Sequence, residues 1–213
     1  MLREAGYQTG FVGKWHLGDP RDRSTWAQGR GFDYAIQEQW GDSGDKAKKF
    51  VKHMHYKHDG TEIFYDEEEH DCLDEFRTDL AVDFLHNHRD ETKPLFLFMS
   101  YRTPHADEPY IREKELYADL GWPSIERQHA ARITMLDREI KRLLNTLDEL
   151  GELDNTFVLF TSDNGPTIEG GHDYNFFNSS GGLRGHKRHL YEGGHRAWDN
   201  AETALVPANR SAK

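Results

Sequence analysis

The chain has 213 residues and a formal net charge of −11 at pH 7, with 27 Lys and Arg against 38 Asp and Glu. This length suits one domain, or one domain with an incomplete neighbour, and allows a buried core. The acidic balance argues against nucleic-acid binding through a basic surface, and no apolar run is long enough to cross a bilayer. No signal peptide is visible at the N-terminus, and the lone Cys72 leaves the redox compartment undetermined.

The first apolar run, residues 9–13, ends in a lysine and a histidine on either side of Trp15. Residues two apart lie on one face of an extended chain. Lys14 and His16 can therefore address a single anion while Trp15 packs on the other face. A solvated strand end explains the same pattern, so both interpretations stay open here.

The segment VKHMHYKHDG contains His53, His55 and His58. Two imidazoles on one strand face are a possible zinc site, but no carboxylate or cysteine stands at ligand spacing. We expect a solvated insertion.

A stripe of apolar residues at steps of three and four predicts a helix over residues 73–85. The next segment, PLFLFMSYRTPH, is short and rich in aromatic residues, which predicts a buried strand over residues 95–101. His105 follows that strand in a loop, where a solvated histidine is the more common explanation.

A second apolar stripe begins at Ile133 and predicts a helix of several turns that Gly151 ends. The run TFVLFTSDNG then predicts a strand over residues 157–161, followed by Asp163 and Asn164, which also read as a turn signal. Strand, long helix and strand in this order predict an α/β fold, with a mostly parallel sheet and helices on both faces.

Ligands of such sheets bind beyond the carboxyl ends of the strands. The polar residues that follow the three predicted strands are expected to lie there: Lys14 and His16, His105, and Asp163 and Asn164. The later stretch GGLRGHKRHLYEGG adds Arg184, Lys187 and Arg188 in a glycine-rich loop. A flexible basic loop is the simpler interpretation. The alternative is a site in which a base, an acid, cations and the oxygen ligands of a hard metal converge.

Four segments, in order, resemble the type I, formylglycine-dependent sulfatases of the alkaline-phosphatase-like superfamily: GYQTGFVGKWHLG, KPLFLFMSYRTPHADEPY, FTSDNGP and LRGHKRHLYEGGHR. The resemblance extends from residue 1 to about residue 196. It implies a partial catalytic domain over residues 1–196, incomplete at both ends, and a divergent tail over residues 197–213.

The resemblance also implies roles for individual residues. Lys14 would contact the sulfate, and His16 would assist the hydrated formylglycine. His105 and Lys187 would stabilise or protonate the leaving oxygen. These expectations come from the family, and each matches a position in one of the four segments.

Asp163 and Asn164 would be ligands of a divalent cation, usually Ca²⁺ in this family. Two family features have no counterpart in the 213 residues: the Cys-x-Pro-Ser-Arg motif that becomes formylglycine, and a pair of aspartates that completes the metal site. Cys72 lacks the flanking proline and serine and cannot replace the motif.

The resemblance implies a sulfuric ester hydrolase that converts a sulfate monoester to alcohol and sulfate, with this chain inactive alone. The expected substrate is a sulfated small molecule or carbohydrate, without nucleic-acid or membrane partners, and family members are commonly periplasmic or secreted. Two alternatives remain at this stage. One is a phosphodiesterase or phosphonate hydrolase of the same superfamily, and the other is a catalytically dead module that binds anions or carbohydrate.

Overall fold

The structure, a computed structural model, describes residues 1–19, 21–39, 54–105 and 115–196. These residues form two compact units: residues 1–103 belong to the first, and residues from 104 onward that are described belong to the second. The tail expected over residues 197–213 lies outside the described residues, as does His53. No helix in the described ranges has both the length and the apolar character needed to span a membrane.

The first unit is built on a five-stranded sheet with the order β4-β3-β2-β1-β5. The strands are β1 (Gln8–Trp15), β2 (Tyr34–Gln39), β3 (His55–Lys57), β4 (Glu62–Ile63) and β5 (Leu95–Ser100). β1 pairs in parallel with β2 and β5, whereas β3 is antiparallel to both of its neighbours. The predicted α/β class is confirmed, and the sheet is mixed.

The two predicted helices are present. In the first unit α1 (Leu73–Asp83) continues into a π-helical turn, Phe84–His88. The second unit contains α2 (Ser124–Glu149) and the short α3 (Glu192–His195), and α2 ends just before Gly151, which has a φ of +70°. Single 3-10 turns occupy Arg23–Thr25, Gln28–Arg30, Ala118–Leu120, Leu153–Asn155 and Glu169–Gly171.

The core of the first unit lies against β1. Phe11 and Trp15 are both buried, and their rings meet edge to face with centroids 5.1 Å apart. The Trp15 indole Nε1 donates a hydrogen bond to the carbonyl of Thr25 at 3.0 Å. Aromatic side chains of this size contribute much of a core's apolar burial, so the carboxyl end of β1 is held in place.

Gly13 allows β1 and β5 to approach each other closely. Its φ is +123°, and a Cβ atom at this position would lie 2.1 Å from the carbonyl oxygen of Ser100. The carbonyl of Lys14, the residue after Gly13, accepts a hydrogen bond from the Ser100 hydroxyl at 2.8 Å. Any larger side chain at Gly13 would therefore separate the strands next to Lys14.

Two strand predictions need correction. The strand predicted over residues 157–161 is wrong, since these residues are irregular apart from a single bridge at Val158, and Phe157 is 72% exposed. A strand needs a hydrogen-bonded neighbour, and the described part of the second unit contains no strand. The other strand, β5, forms as predicted but is only half-buried, because its alternate residues Phe96 and Phe98 are exposed.

A network of buried charges fixes the sheet to α1. Arg77 is fully buried and donates to Glu38 at 2.6 Å and to Asp74 at 2.7 Å. Its Nε also donates to the ring of His55 at 3.3 Å. The expectation of a solvated histidine insertion is therefore wrong for His55, which lies in β3 with no exposed surface.

Asp74 extends this network to the chain that follows β5. Its carboxylate accepts the backbone N–H of Arg102 at 3.3 Å and of Thr103 at 3.1 Å. The Arg102 guanidinium lies 3.5 Å from Glu38. The network thus fixes where the chain leaves the carboxyl end of the sheet.

Replacing Arg77 should destabilise the chain strongly, because Glu38 and Asp74 would remain buried without their cation. We expect Arg77→Ala to lower the free energy of unfolding by about 3 to 5 kcal/mol. Arg21→Ala, which breaks an exposed pair with Asp19, should leave the free energy of unfolding nearly unchanged. Urea denaturation followed by circular dichroism measures both, and equal losses would contradict the role given to Arg77.

Candidate active site

In the first unit, β1 presents Lys14 and His16 as the alternation predicts. Trp15 is 5% exposed, Lys14 is half-buried, and His16 is exposed immediately after the strand ends. Lys14 lies opposite Glu38 of β2 in the parallel register. Both candidate side chains are therefore at the carboxyl end of β1, off the buried face that Trp15 occupies.

In the second unit the turn that carries Asp163 and Asn164 is joined to the glycine-rich loop. The Gly165 N–H donates to the carbonyl of Gly194 at 3.1 Å, and a Cβ at Gly165 would lie 1.9 Å from the Gly193 oxygen. The Lys187 N–H donates to the carbonyl of Pro166 at 2.8 Å. Two segments that are distant in sequence therefore share one backbone scaffold.

The glycine-rich loop also closes on itself. The Gly193 N–H donates to the carbonyl of Arg184 at 2.9 Å. The Arg184 guanidinium lies 3.8 Å above the centroid of the Tyr191 ring, a cation–π contact. These contacts give the Lys187 segment a defined conformation, unlike the flexible loop that was the simpler interpretation.

Glu169 brings two of the predicted site residues together. Its Oε2 lies 3.3 Å from the His105 Nε2 and 3.1 Å from the Lys187 Nζ. Its Oε1 lies 2.5 Å from a guanidinium nitrogen of Arg188. Three donors thus converge on one carboxylate. Glu169 was missed in the sequence, where it follows the Asp163–Asn164 turn with no periodicity or motif to mark it.

The cations around Glu169 stabilise its negative charge. The hydrogen bond from Lys187 lowers the pKa of Glu169, partial burial opposes this, and the charges of Lys187, Arg188 and His105 lower it further. The carboxylate is therefore ionised at neutral pH. The same donors are of the kind that bind the oxygens of a sulfate or phosphate.

A buried histidine pair anchors the segment after Glu169 to α2. The His172 Nδ1 lies 2.5 Å from the Glu126 carboxylate, which also accepts the Asp173 N–H at 2.9 Å. The His129 ring stacks on His172 with centroids 3.7 Å apart. Burial, followed by the nearby charge of His172 and Arg132, lowers the pKa of His129 to about 4, so this ring is neutral at physiological pH.

Asp163 and Asn164 fit a hard cation by the type of their donors. Carboxylate and amide oxygens suit Ca²⁺, which takes six to eight oxygen ligands. The Asn164 amide donates to the Asp163 carboxylate, and Asp163 is exposed. Across the described ranges no group of three or more His, Cys, Asp or Glu side chains is arranged to hold a metal. The described residues therefore contain no complete cation site, and Asp163 and Asn164 provide only donors of a suitable type.

Comparison with known proteins assigns the family. The sulfatase family model matches residues 1–197. Mouse arylsulfatase J is 32% identical over 92% of this chain and 32% of its own length. The N-acetylgalactosamine-6-O-sulfatase of Bacteroides thetaiotaomicron is 29% identical over 92% of this chain and 49% of its own length. The chain therefore belongs to the sulfatase family, and it spans about a third to a half of the length of these relatives.

Solved structures agree on the fold. A crystal structure of Ps i-CgsB in complex with k-i-k-neocarrahexaose has a TM-score of 0.75 and 24% identity, covering 91% of this chain and 44% of that one. The PsFucS1 sulfatase from Pseudoalteromonas sp. has a TM-score of 0.62 at 24% identity, covering 91% of this chain and 42% of that one. At this identity the likeness shows a shared α/β fold.

Calcium should bind this chain weakly, because Asp163 and Asn164 provide only part of the required oxygen ligands. We expect isothermal titration calorimetry with Ca²⁺ to give a dissociation constant on the order of 1 mM or weaker, the range of weak Ca²⁺ modules. Asp163→Asn should abolish the binding that is seen, whereas Asp154→Asn, a change in a separate 3-10 turn, should not. A micromolar constant would contradict this, because it would require further oxygen ligands at the site.

Proposed function

We propose that this chain forms part of a sulfuric ester hydrolase that converts a sulfated carbohydrate to the alcohol and sulfate. One observation carries the proposal: His105 and Lys187 direct their nitrogens at the same carboxylate oxygen of Glu169. In a chain of the sulfatase family, two nitrogens directed at one oxygen support a site for an oxyanion.

In the proposed reaction Lys14 would contact the sulfate, and His16 would assist a hydrated formylglycine, the nucleophile that the family implies. His105 and Lys187 act on the leaving oxygen. As the bond between sulfur and that oxygen breaks, negative charge grows on the oxygen, and fixed cations stabilise it. A histidine, with an unperturbed pKa of about 6.5, can supply the proton near neutral pH.

Asp163 and Asn164 are the proposed ligands of a divalent cation, which we take to be Ca²⁺. Such a cation offsets charge on the sulfuryl oxygens when it is bound. The hydrogen bonds that join the Asp163–Asn164 turn to the Lys187 segment support a shared role for the two segments, because they couple the position of the turn to the backbone of Lys187.

The nucleophile is the part that these residues do not provide. None of the 213 residues lies in a Cys-x-Pro-Ser-Arg segment, so we expect no turnover of sulfate esters by this chain alone. Loss of a covalent nucleophile lowers kcat by about a millionfold in a well-studied hydrolase. The proposed activity is therefore that of a protein in which such a segment is present.

Three observations favour a carbohydrate as the substrate class. One relative is an N-acetylgalactosamine-6-O-sulfatase, and one protein of the same fold was solved with a neocarrahexaose. The described residues also include a cluster of aromatic rings around Trp122, which meets Phe176 at 5.7 Å and Phe177 at 5.2 Å. Aromatic faces suit the apolar faces of sugar rings.

The assigned lysines should be essential in an active form of the protein. The test protein is this chain extended by an upstream Cys-x-Pro-Ser-Arg segment matured to formylglycine, assayed with an aryl sulfate and Ca²⁺. We expect Lys14→Ala and Lys187→Ala each to lower kcat/KM by about 100-fold to 1,000-fold, the cost of losing one stabilising group at the reacting oxygen.

Lys93→Ala is the matched control, since Lys93 is exposed and paired with Asp90, and it should leave kcat/KM unchanged. Hydrolysis by the unextended chain at the rate of the extended one would contradict the assumed nucleophile. Full activity of the Lys187→Ala protein would contradict the proposed site.

A further inference from the structure

The Glu169 carboxylate occupies the position at which the proposed mechanism requires a substrate oxygen. One oxygen, Oε2, accepts a hydrogen bond from the Lys187 Nζ at 3.1 Å and lies 3.3 Å from the His105 Nε2. In the proposed reaction these two groups meet at the leaving oxygen of the sulfate ester. While Glu169 holds both donors, an ester oxygen cannot take the same place.

Charge makes the two anions mutually exclusive. Glu169 is ionised at neutral pH because Lys187 donates to it. A sulfate group at the same donors would lie within a few ångströms of this carboxylate, and like charges at that separation repel. Either Glu169 or the sulfate can occupy the site, but both together are disfavoured.

The ion pairs of Glu169 are accessible to solvent and can be broken by an incoming anion. The Glu169 side chain is 23% exposed, and that of Arg188 is 76% exposed. Arg188 also has a φ of +75°, an uncommon backbone conformation for a residue with a side chain. The His105 and Lys187 side chains are 20% and 22% exposed, so solvent reaches all three partners of Glu169 and an incoming anion need not enter a fully buried network.

The surroundings leave room for this movement. A cleft of about 190 Å³ lies against Glu169 and is lined by Ile168, His186, Lys187, Arg188 and His189, among others. Four of these five neighbours are basic or imidazole side chains. The cleft can therefore receive the displaced carboxylate or the ligand that displaces it.

We propose that Glu169 is an internal competitor for the sulfate site: its carboxylate stands in for the ester oxygen at His105 and Lys187 and is displaced when substrate binds. This proposal rests on the proposed function, since it takes His105 and Lys187 as the leaving-group contacts. Its consequence is selectivity. Inorganic sulfate must displace Glu169 unaided, whereas a sulfated sugar has further contacts with which to do so.

The test measures binding of inorganic sulfate to this chain by isothermal titration calorimetry at constant ionic strength. Glu169→Gln should lower the dissociation constant about fivefold or more, the effect of removing a competing ion pair of ordinary strength. Glu115→Gln is the matched control, because it removes the same charge from an exposed pair with Arg127, and it should change the constant by less than about twofold.

Adding Lys187→Ala to Glu169→Gln should remove the gain. An unchanged or weaker affinity in Glu169→Gln, or a gain that survives Lys187→Ala, would overturn the proposal, as would absence of sulfate binding in every variant. Circular dichroism of each variant checks that it is folded.

The proposed function fails by a different result. If the extended, formylglycine-bearing protein does not hydrolyse sulfate esters while Glu169→Gln still tightens sulfate binding, the anion site stands and the sulfatase role does not. If that protein is active and Glu169→Gln leaves sulfate affinity unchanged, the internal competitor alone is refuted.

Discussion

The buried guanidinium of Arg77 is the contact on which the first unit depends. It joins β2 through Glu38, β3 through His55 and α1 through Asp74. Asp74 then accepts the two backbone N–H groups that follow β5. A buried charge lowers the stability of the fold unless it is paired. This network therefore holds the carboxyl end of the sheet, beside Lys14, in one arrangement.

The second unit also contains a cluster of ion pairs, but this cluster is partly exposed to solvent. Glu169 also meets cations from separate segments, but each partner in that cluster is at least one-fifth exposed. Water competes for the charged groups of such pairs and reduces their contribution to stability. The Arg77 network is therefore suited to a permanent structural role, whereas the Glu169 cluster is suited to exchange one anion for another.

The sequence predicted the two long helices and β5, which depend mainly on interactions between residues close in sequence. The apolar stripes over residues 73–85 and 133–150 became α1 and the greater part of α2, since helical periodicity is set by near neighbours. The run PLFLFMS became β5. Each motif that carried the family resemblance lies within the range matched by the family model.

The same reasoning missed what distant partners determine. Arg77 and Glu38 are 39 residues apart, and Glu169 and Lys187 are 18 apart, so no periodicity connects them. The apolar run at residues 157–161 has the composition of a strand, but pairing decides whether one forms. His55 reads as a polar insertion until β2 and α1 enclose it.

The central claim is that His105 and Lys187 form an anion site that the Glu169 carboxylate occupies. The most direct measurement is a crystal structure of Glu169→Gln grown with selenate, a sulfate analogue whose anomalous scattering locates the anion. The account predicts one selenate within hydrogen-bonding distance of both His105 and Lys187. A selenate bound away from these two side chains, or no bound selenate, would contradict it.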